Sequence, residues 1–282
     1  MKPHPRTGEL FLSPVPPGTG WPGDVATPET PVATSAAAVA ELAANAADAR
    51  ALVAPTTVCR ACPRLVEWRE EVAETRRRAF ADQPYWGRPI ASFGVDDPSI
   101  AIIGLAPAAH GGNRTGRQFT GDPSGDWIIA GLHRVGFANQ ATSVDAADGL
   151  ELSEVRMIPA VRCAPPQNKP SPQERDTCSH WLHRELDLVT PSLQVIFPLG
   201  SFAWGAVLRA ARALGWQVPR PQPKFGHGAE ALLHTRNGEP VILLGCYHVS
   251  QRNTQTGALT VEMLDAVLNR AKEIIAGPIA TM

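Results

Sequence analysis

Apolar positions along this chain fall into two alternating kinds of run. Short, continuous, β-branched runs occur at Ile100–Ile103, about 155–161, Leu193–Phe197 and Val241–Leu244, and these read as buried strands. Between and after them, helices are predicted near Gly125 to Gly136, from Ser171, at about 201–213 and at about 258–276. The helix from Ser171 has clear start signals, with Ser171 as N-cap, Pro172 at N1 and Glu174 completing a capping box. Strands that lack polar alternation are covered on both faces. The pattern therefore predicts an α/β fold, three layers α/β/α around a central, mainly parallel sheet.

Upstream the pattern changes. Residues 1–34 hold eight prolines with many Gly and Thr, predicting an extended or disordered arm. Ser35 to Val53 is Ala-rich and favours helix, and Cys59 to Phe80 reads as a charged amphipathic helix with Leu65, Trp68, Val72 and Phe80 inward. The expected division is an arm with its helix at 1–57 and one domain at 58–282. No internal repeat is present.

Composition adds little to this picture: 44% apolar and 19% charged residues in 282 are ordinary for a globular protein. No apolar run approaches membrane-spanning length, and Met1-Lys2-Pro3-His4-Pro5 lacks the apolar core of a secretory signal, so a cytoplasmic protein without a membrane partner is expected. The net charge of −1 gives no reason to expect a polyanion. Its distribution does. Val155–Gln173, Leu199–Ala229 and Pro240–Val261 contain no acidic residue but carry Arg156, Arg162, Lys169, Arg209, Arg212, Arg220, Lys224 and Arg252. All flank predicted strand ends, which predicts a one-sided positive face able to follow phosphates.

Two loops hold the candidate chemistry. Gly104 to Asp122 follows the first strand and is rich in Gly, Thr, Asn and Arg, so it offers backbone N–H groups and cations at the sheet edge where α/β folds bind ligands. It has neither the Gly-Lys-Ser/Thr of a P-loop nor a dinucleotide fingerprint. The second, Gly245 to Gly257, follows the last strand and brings His248 to the same edge, with an uncharged polar run around Arg252. Cys59-x₂-Cys62 and Cys163-x₁₄-Cys178 supply four thiols that suit a tetrahedral zinc ion or an iron–sulfur cluster, whereas Cys246 has no partner spacing.

Taken in order, these motifs resemble family 5, the type-B enzymes, of the uracil-DNA glycosylase superfamily. The likeness rests on Gly104-Leu105-Ala106-Pro107, Arg114-Thr115-Gly116-Arg117, Phe119-Thr120-Gly121-Asp122, Arg162 to Pro170, and His248-Val249-Ser250 with Asn253. It runs from about Val58 to about Ala276. The resemblance implies a monofunctional DNA-repair hydrolase that flips a damaged base out of single- or double-stranded DNA and cleaves its N-glycosidic bond. It implies a [4Fe–4S] cluster on Cys59, Cys62, Cys163 and Cys178.

Leu105 stands where the sister family 4 keeps an acid. Asp122 is therefore implied as the group that positions water, with Asp126 as runner-up, and His248 as donor to the leaving base. Leu105, Ala106, Phe119 and Asn168 are implied around the base, with Phe119 stacking and Asn168 reading the pyrimidine edge. Arg114, Arg117, Ser250, Gln251, Arg252 and Asn253 are implied on DNA, the loop 251–255 wedging into the gap. A monomer in the bacterial nucleoid, active on hypoxanthine and ethenocytosine as well as uracil, is expected. A lesion-binding protein without catalysis would share the same loops and charges.

Overall fold

The computed structural model describes residues 1–277; the end of the expected domain, 278–282, lies outside the described residues. A two-residue ladder, β1 (Lys2–Pro3) with β2 (Leu10–Phe11), opens the chain. Then follow α1 (Ala36–Ala44), α2 (Val53–Thr57), α3 (Pro63–Thr75), β3 (Phe93–Gly94), β4 (Ile100–Gly104), the single turn α4 (Gly112–Thr115) and α5 (Pro123–Val135). The second half holds β5 (Val155–Pro159), α6 (Pro172–Val189), β6 (Val195–Pro198), α7 (Ser201–Ala213), β7 (Glu230–His234), β8 (Pro240–Leu244), α8 (Gln251–Gln255) and α9 (Val261–Ala276).

Six strands form the main sheet in the order β3-β5-β4-β6-β8-β7. The central four are parallel, and β3 and β7 run antiparallel at the two edges. Alternation along β4 sorts the layers. Ile100 and Ile102 face a cluster built with α5 and α9, whereas Ala101 and Ile103 face α6 and α7. The three-layer, mainly parallel architecture expected from the sequence is present. The edge strands β3 and β7 were not foreseen. β3 is two residues long, and β7 follows the Pro- and Gly-rich 219–228, so neither carries the long apolar run of a buried strand.

Boundaries differ most where metal chemistry was expected. Ser35–Val53 is not one helix but α1 and α2 with irregular chain between them. Cys59 and Cys62 lie before α3, not within it, because Pro63 takes the first helical position and leaves Cys62 as N-cap. The N-terminal arm is extended, and it is also packed: Phe11, Val15 and Trp21 are buried with Trp86 and Ile90. The buried Asp24 carboxylate pairs with the Arg88 guanidinium at 2.8 Å. Further along, Val39, Ala43 and Leu52 share a core cluster with Cys163, Cys178 and Trp181, so packing continues across residue 57.

Candidate active site

The carboxyl ends of β4, β6 and β8 lie side by side, and a cleft of about 570 Å³ opens over them. Leu105 lines it from β4, Leu199, Gly200 and Phe202 from β6 and α7, and Tyr247 and His248 from β8, with Phe225 and Asn253 closing the sides. This is the ligand edge of a parallel sheet. Main-chain bonds hold the pieces in place. Val161 N–H donates to Leu105 O at 2.9 Å, and Gly200 N–H donates to Cys246 O at 2.8 Å. Gly200 has φ +88°, and a Cβ there would stand 3.2 Å from His248 Cβ. Only glycine lets the β6–α7 turn pass this close to the imidazole.

His248 is held from both sides in sequence. Val249 is fully buried, and Asn253 Nδ2 donates to His248 O at 2.8 Å. Burial holds the imidazole below the usual histidine value. The neutral ring is therefore favoured near pH 7, and it carries one N–H that can donate to a ligand.

Asp122 is the N-cap of α5; its Oδ1 accepts from Ser124 N–H at 2.9 Å and Gly125 N–H at 3.2 Å. Burial raises its carboxyl above the usual range, and the two amides pull it part of the way back. Its Oδ2 lies directly against the Cα of Gly111, where a Cβ would overlap it. Gly111→Ala is accordingly expected to push the carboxylate off the Ser124 and Gly125 amides and lower stability by about 0.5–2 kcal/mol, the usual cost of losing a helix cap. Thermal denaturation checks this; an unchanged melting temperature would show that the cap survives the added methyl. Asp126, in the first turn of α5, is exposed.

Phe119 precedes Asp122 by three residues and is buried, its ring packed on Gly104 at the end of β4. Its φ of +52° is unusual for an aromatic residue, and such strain persists only where the surroundings impose it. The Ala106 side chain packs instead on the cysteine cluster. Asn168 is exposed on the turn after β5, with φ +57°, and does not line the His248 cleft.

Two expectations about DNA contacts are corrected. Arg114 and Arg117 are buried and committed within the protein. Arg114 donates to His110 O, Gln83 Oε1 and Gly121 O and lies over the Phe80 ring. Arg117 pairs with the buried Asp148 carboxylate at 2.7 Å and lies over Phe93. Both brace the loop from inside, because neutralising a phosphate would leave Asp148 and three acceptors unpaired. Arg156 and Arg162, counted in the acid-free windows, are likewise buried against Glu185. The positive face is therefore thinner than the sequence implied: Lys169, Arg209, Arg212, Arg220, Lys224 and Arg252 remain exposed, without Arg156 and Arg162. The segment 251–255, expected to be a wedge loop, is the short helix α8; Ser250 is its N-cap, and Gln251 and Arg252 point to solvent.

Sequence reasoning did not single out Gly200, Phe202, Phe225 or Tyr247. Gly200 was findable as a Gly directly after a strand. The aromatics carry no periodic signal: Phe202 reaches the site from the start of α7, Tyr247 from the chain after β8, and Phe225 from the turn at 219–228.

The four cysteines line one cavity with Val39, Leu65 and Trp181, and burial and the neighbouring thiols push Cys62 up to about 12. Among the described residues, no three His, Cys, Asp or Glu side chains converge closely enough to hold a single metal ion. Each iron of a four-iron cluster takes one thiolate, so its four ligands need not meet at a point. Free thiols, a buried cation at Arg69 and an unpartnered Arg69 Nε–H fit an anionic group there.

Comparison with known proteins agrees with this geometry. Residues 91–272 match the family model described as the Uracil DNA glycosylase superfamily. The chain is 56% identical to a type-5 uracil-DNA glycosylase of Mycobacterium bovis over 96% of its own length and 98% of that protein's. It is 45% identical to a type-5 enzyme of Thermus thermophilus, covering 80% of this chain and 98% of that one. A type-4 uracil-DNA glycosylase of Thermotoga maritima matches at 29% over only 38% of the chain. The chain belongs to the uracil-DNA glycosylase superfamily, in its type-5 branch.

Proposed function

We propose that the protein hydrolyses the N-glycosidic bond of uracil and related damaged bases in DNA and leaves an abasic site. The observation that carries this is a neutral, half-buried His248 beside Leu105 in an open cleft at the sheet's ligand edge, with the capped carboxylate of Asp122 on the neighbouring loop. Extracting a base from the stack costs a few kcal/mol, least where it is mispaired or already single-stranded. The cleft walls then replace stacking partners. Phe119 supports the base at the end of β4.

Cleavage sends the bonding electron pair to the base and leaves positive charge on the sugar. The His248 N–H donates to the base oxygen where negative charge collects. The Asp122 carboxylate faces the sugar side, orients water for attack at C1′ and takes up its proton. Leu105 excludes bulk water but polarises none. Exposed Arg252 and Lys224 follow the phosphates, and α8 enters the gap left by the base. The protein acts as a monomer.

Cys59, Cys62, Cys163 and Cys178 would hold a [4Fe–4S] cluster. When bound it supplies a cross-link between the segment before α3, the loop after β5, and α6.

Leu105, Leu199, Phe202 and Phe225 make the cleft walls mainly apolar, with few groups to reject a near-isostere. Activity should therefore extend beyond uracil to hypoxanthine and ethenocytosine. A panel of single-lesion oligonucleotides, incubated with protein and treated with alkali, tests both levels. Scission at uracil and at least one other lesion is expected. Strict uracil specificity would overturn the broad reading, and no scission at any lesion would leave a lesion-binding protein.

A further inference from the structure

Arg69 is buried where it has no solvent role. It lies on α3 and is only 1% exposed. Nη1 donates to Cys163 Sγ at 2.9 Å and to Cys59 O at 3.2 Å, while its Nε–H has no partner. Among the described residues, the one carboxylate within ion-pair range is Glu70, 3.8 Å from Nη2, and both Glu70 oxygens already accept from Arg60. A cation taken out of water and left so weakly paired costs several kcal/mol. Four ionised thiolates on iron would carry the balancing negative charge.

We infer that Arg69 is the counter-ion of the iron–sulfur group proposed above, on which this inference rests. Its N–H···S bond to Cys163 raises the group's reduction potential and slows the loss of iron. A donor to a ligating sulfur draws electron density from the thiolate and so favours the more reduced state, and a buried positive charge acts in the same direction. Arg162 donates to Cys178 Sγ through its backbone N–H at 3.2 Å, a contact without net charge. The Arg162 guanidinium also reaches the cavity but is paired with Glu185, so Arg69 is the guanidinium bonded directly to a cysteine sulfur. It positions and tunes, and it touches neither DNA nor water at the scissile bond.

The test uses full-length protein purified without air. Arg69→Met keeps length and apolar bulk while removing the charge and the donors. It is expected to surrender iron to a chelator about 10- to 100-fold faster than wild type. Its potential, measured by film voltammetry, is expected to be more negative, with Arg69→Lys intermediate. A purely structural Arg69 would lower the melting temperature but leave the potential unmoved, and that result overturns the inference. Should Arg69→Met fail to fold, the wild type decides: with arginine carrying ¹⁵N only in the guanidinium, which leaves the Arg162 backbone donor unlabelled, pulsed EPR of the reduced protein is expected to show a coupled ¹⁵N, and its absence overturns the inference. Wild type that carries zinc and no iron would overturn the cluster reading with it, whereas iron retained equally by both proteins would overturn this inference alone.

Discussion

Asp122→Asn is expected to slow base release by about 10²- to 10⁴-fold, the usual contribution of a positioned acid or base, while DNA binding persists. Asn caps a helix about as well as Asp, so the Ser124 and Gly125 amides keep an acceptor and α5 keeps its start. The burial that raises this carboxyl also fixes the sign of its effect on stability. A raised pKa means the folded protein holds the proton more tightly than the unfolded chain. Keeping Asp122 ionised therefore costs stability above that pKa, and the cost disappears as pH falls through it. Asn removes the cost, so the variant should melt at or above the wild-type temperature. Activity runs the other way, because only the carboxylate can accept a proton: wild-type turnover should fall with pH at a point above the ordinary carboxylate range. The residual rate of Asp122→Asn should lack that acid limb. Asp126→Asn, altering an exposed residue, should stay within a few-fold of wild type at all pH values. A large loss in Asp126→Asn with none in Asp122→Asn would move the role to Asp126.

Cys178→Ser is expected to damage the fold rather than the chemistry. Cys178 is buried one and a half turns into α6, and its Sγ accepts from the Arg162 N–H. Serine cannot serve as a thiolate ligand to iron. Losing the proposed cluster unties α6 from the segment before α3 and leaves Arg69 buried without its counter-charge. Breaking such a buried arrangement typically costs about 3–5 kcal/mol, a large share of the roughly 5–15 kcal/mol that holds a domain together. At about 2–4 °C per kcal/mol for a protein of comparable size, the melting temperature should fall by about 6–20 °C, with most expressed chain insoluble. Differential scanning calorimetry of anaerobically purified protein measures this. A normal melting temperature would show that the cysteines pack as ordinary small apolar residues.

Comparing these two sites shows how differently sequence speaks about each. The cysteine pairs announce themselves by spacing, and the structure brings all four to one cavity although more than one hundred positions separate Cys59 from Cys163. Asp122 was marked from the sequence as the group that positions water; the structure shows that it also caps α5, and burial raises its carboxyl. Arg114 and Arg117 misled because an arginine in a Gly-rich loop looks the same in sequence whether it faces solvent or Asp148. The same ambiguity overstated the positive face through Arg156 and Arg162, which are buried with Glu185 from α6.

By itself, the sequence determined the alternation of buried strands and capped helices, the α/β layering, the strand-end loops and the four thiols. These are local signals: apolar period, cap residues, Gly and Pro punctuation, and Cys spacing are all set within a few residues of one another. Only the tertiary structure decided which charges are spent inside the protein, that the proline-rich arm packs against Trp86, and which aromatics wall the cleft with His248. It also decided that Arg69, an unremarkable cation on an amphipathic helix, stands against Cys163. Each of these depends on a partner distant in the chain, and burial, which gives a charge its energetic weight, does not exist until the chain has folded.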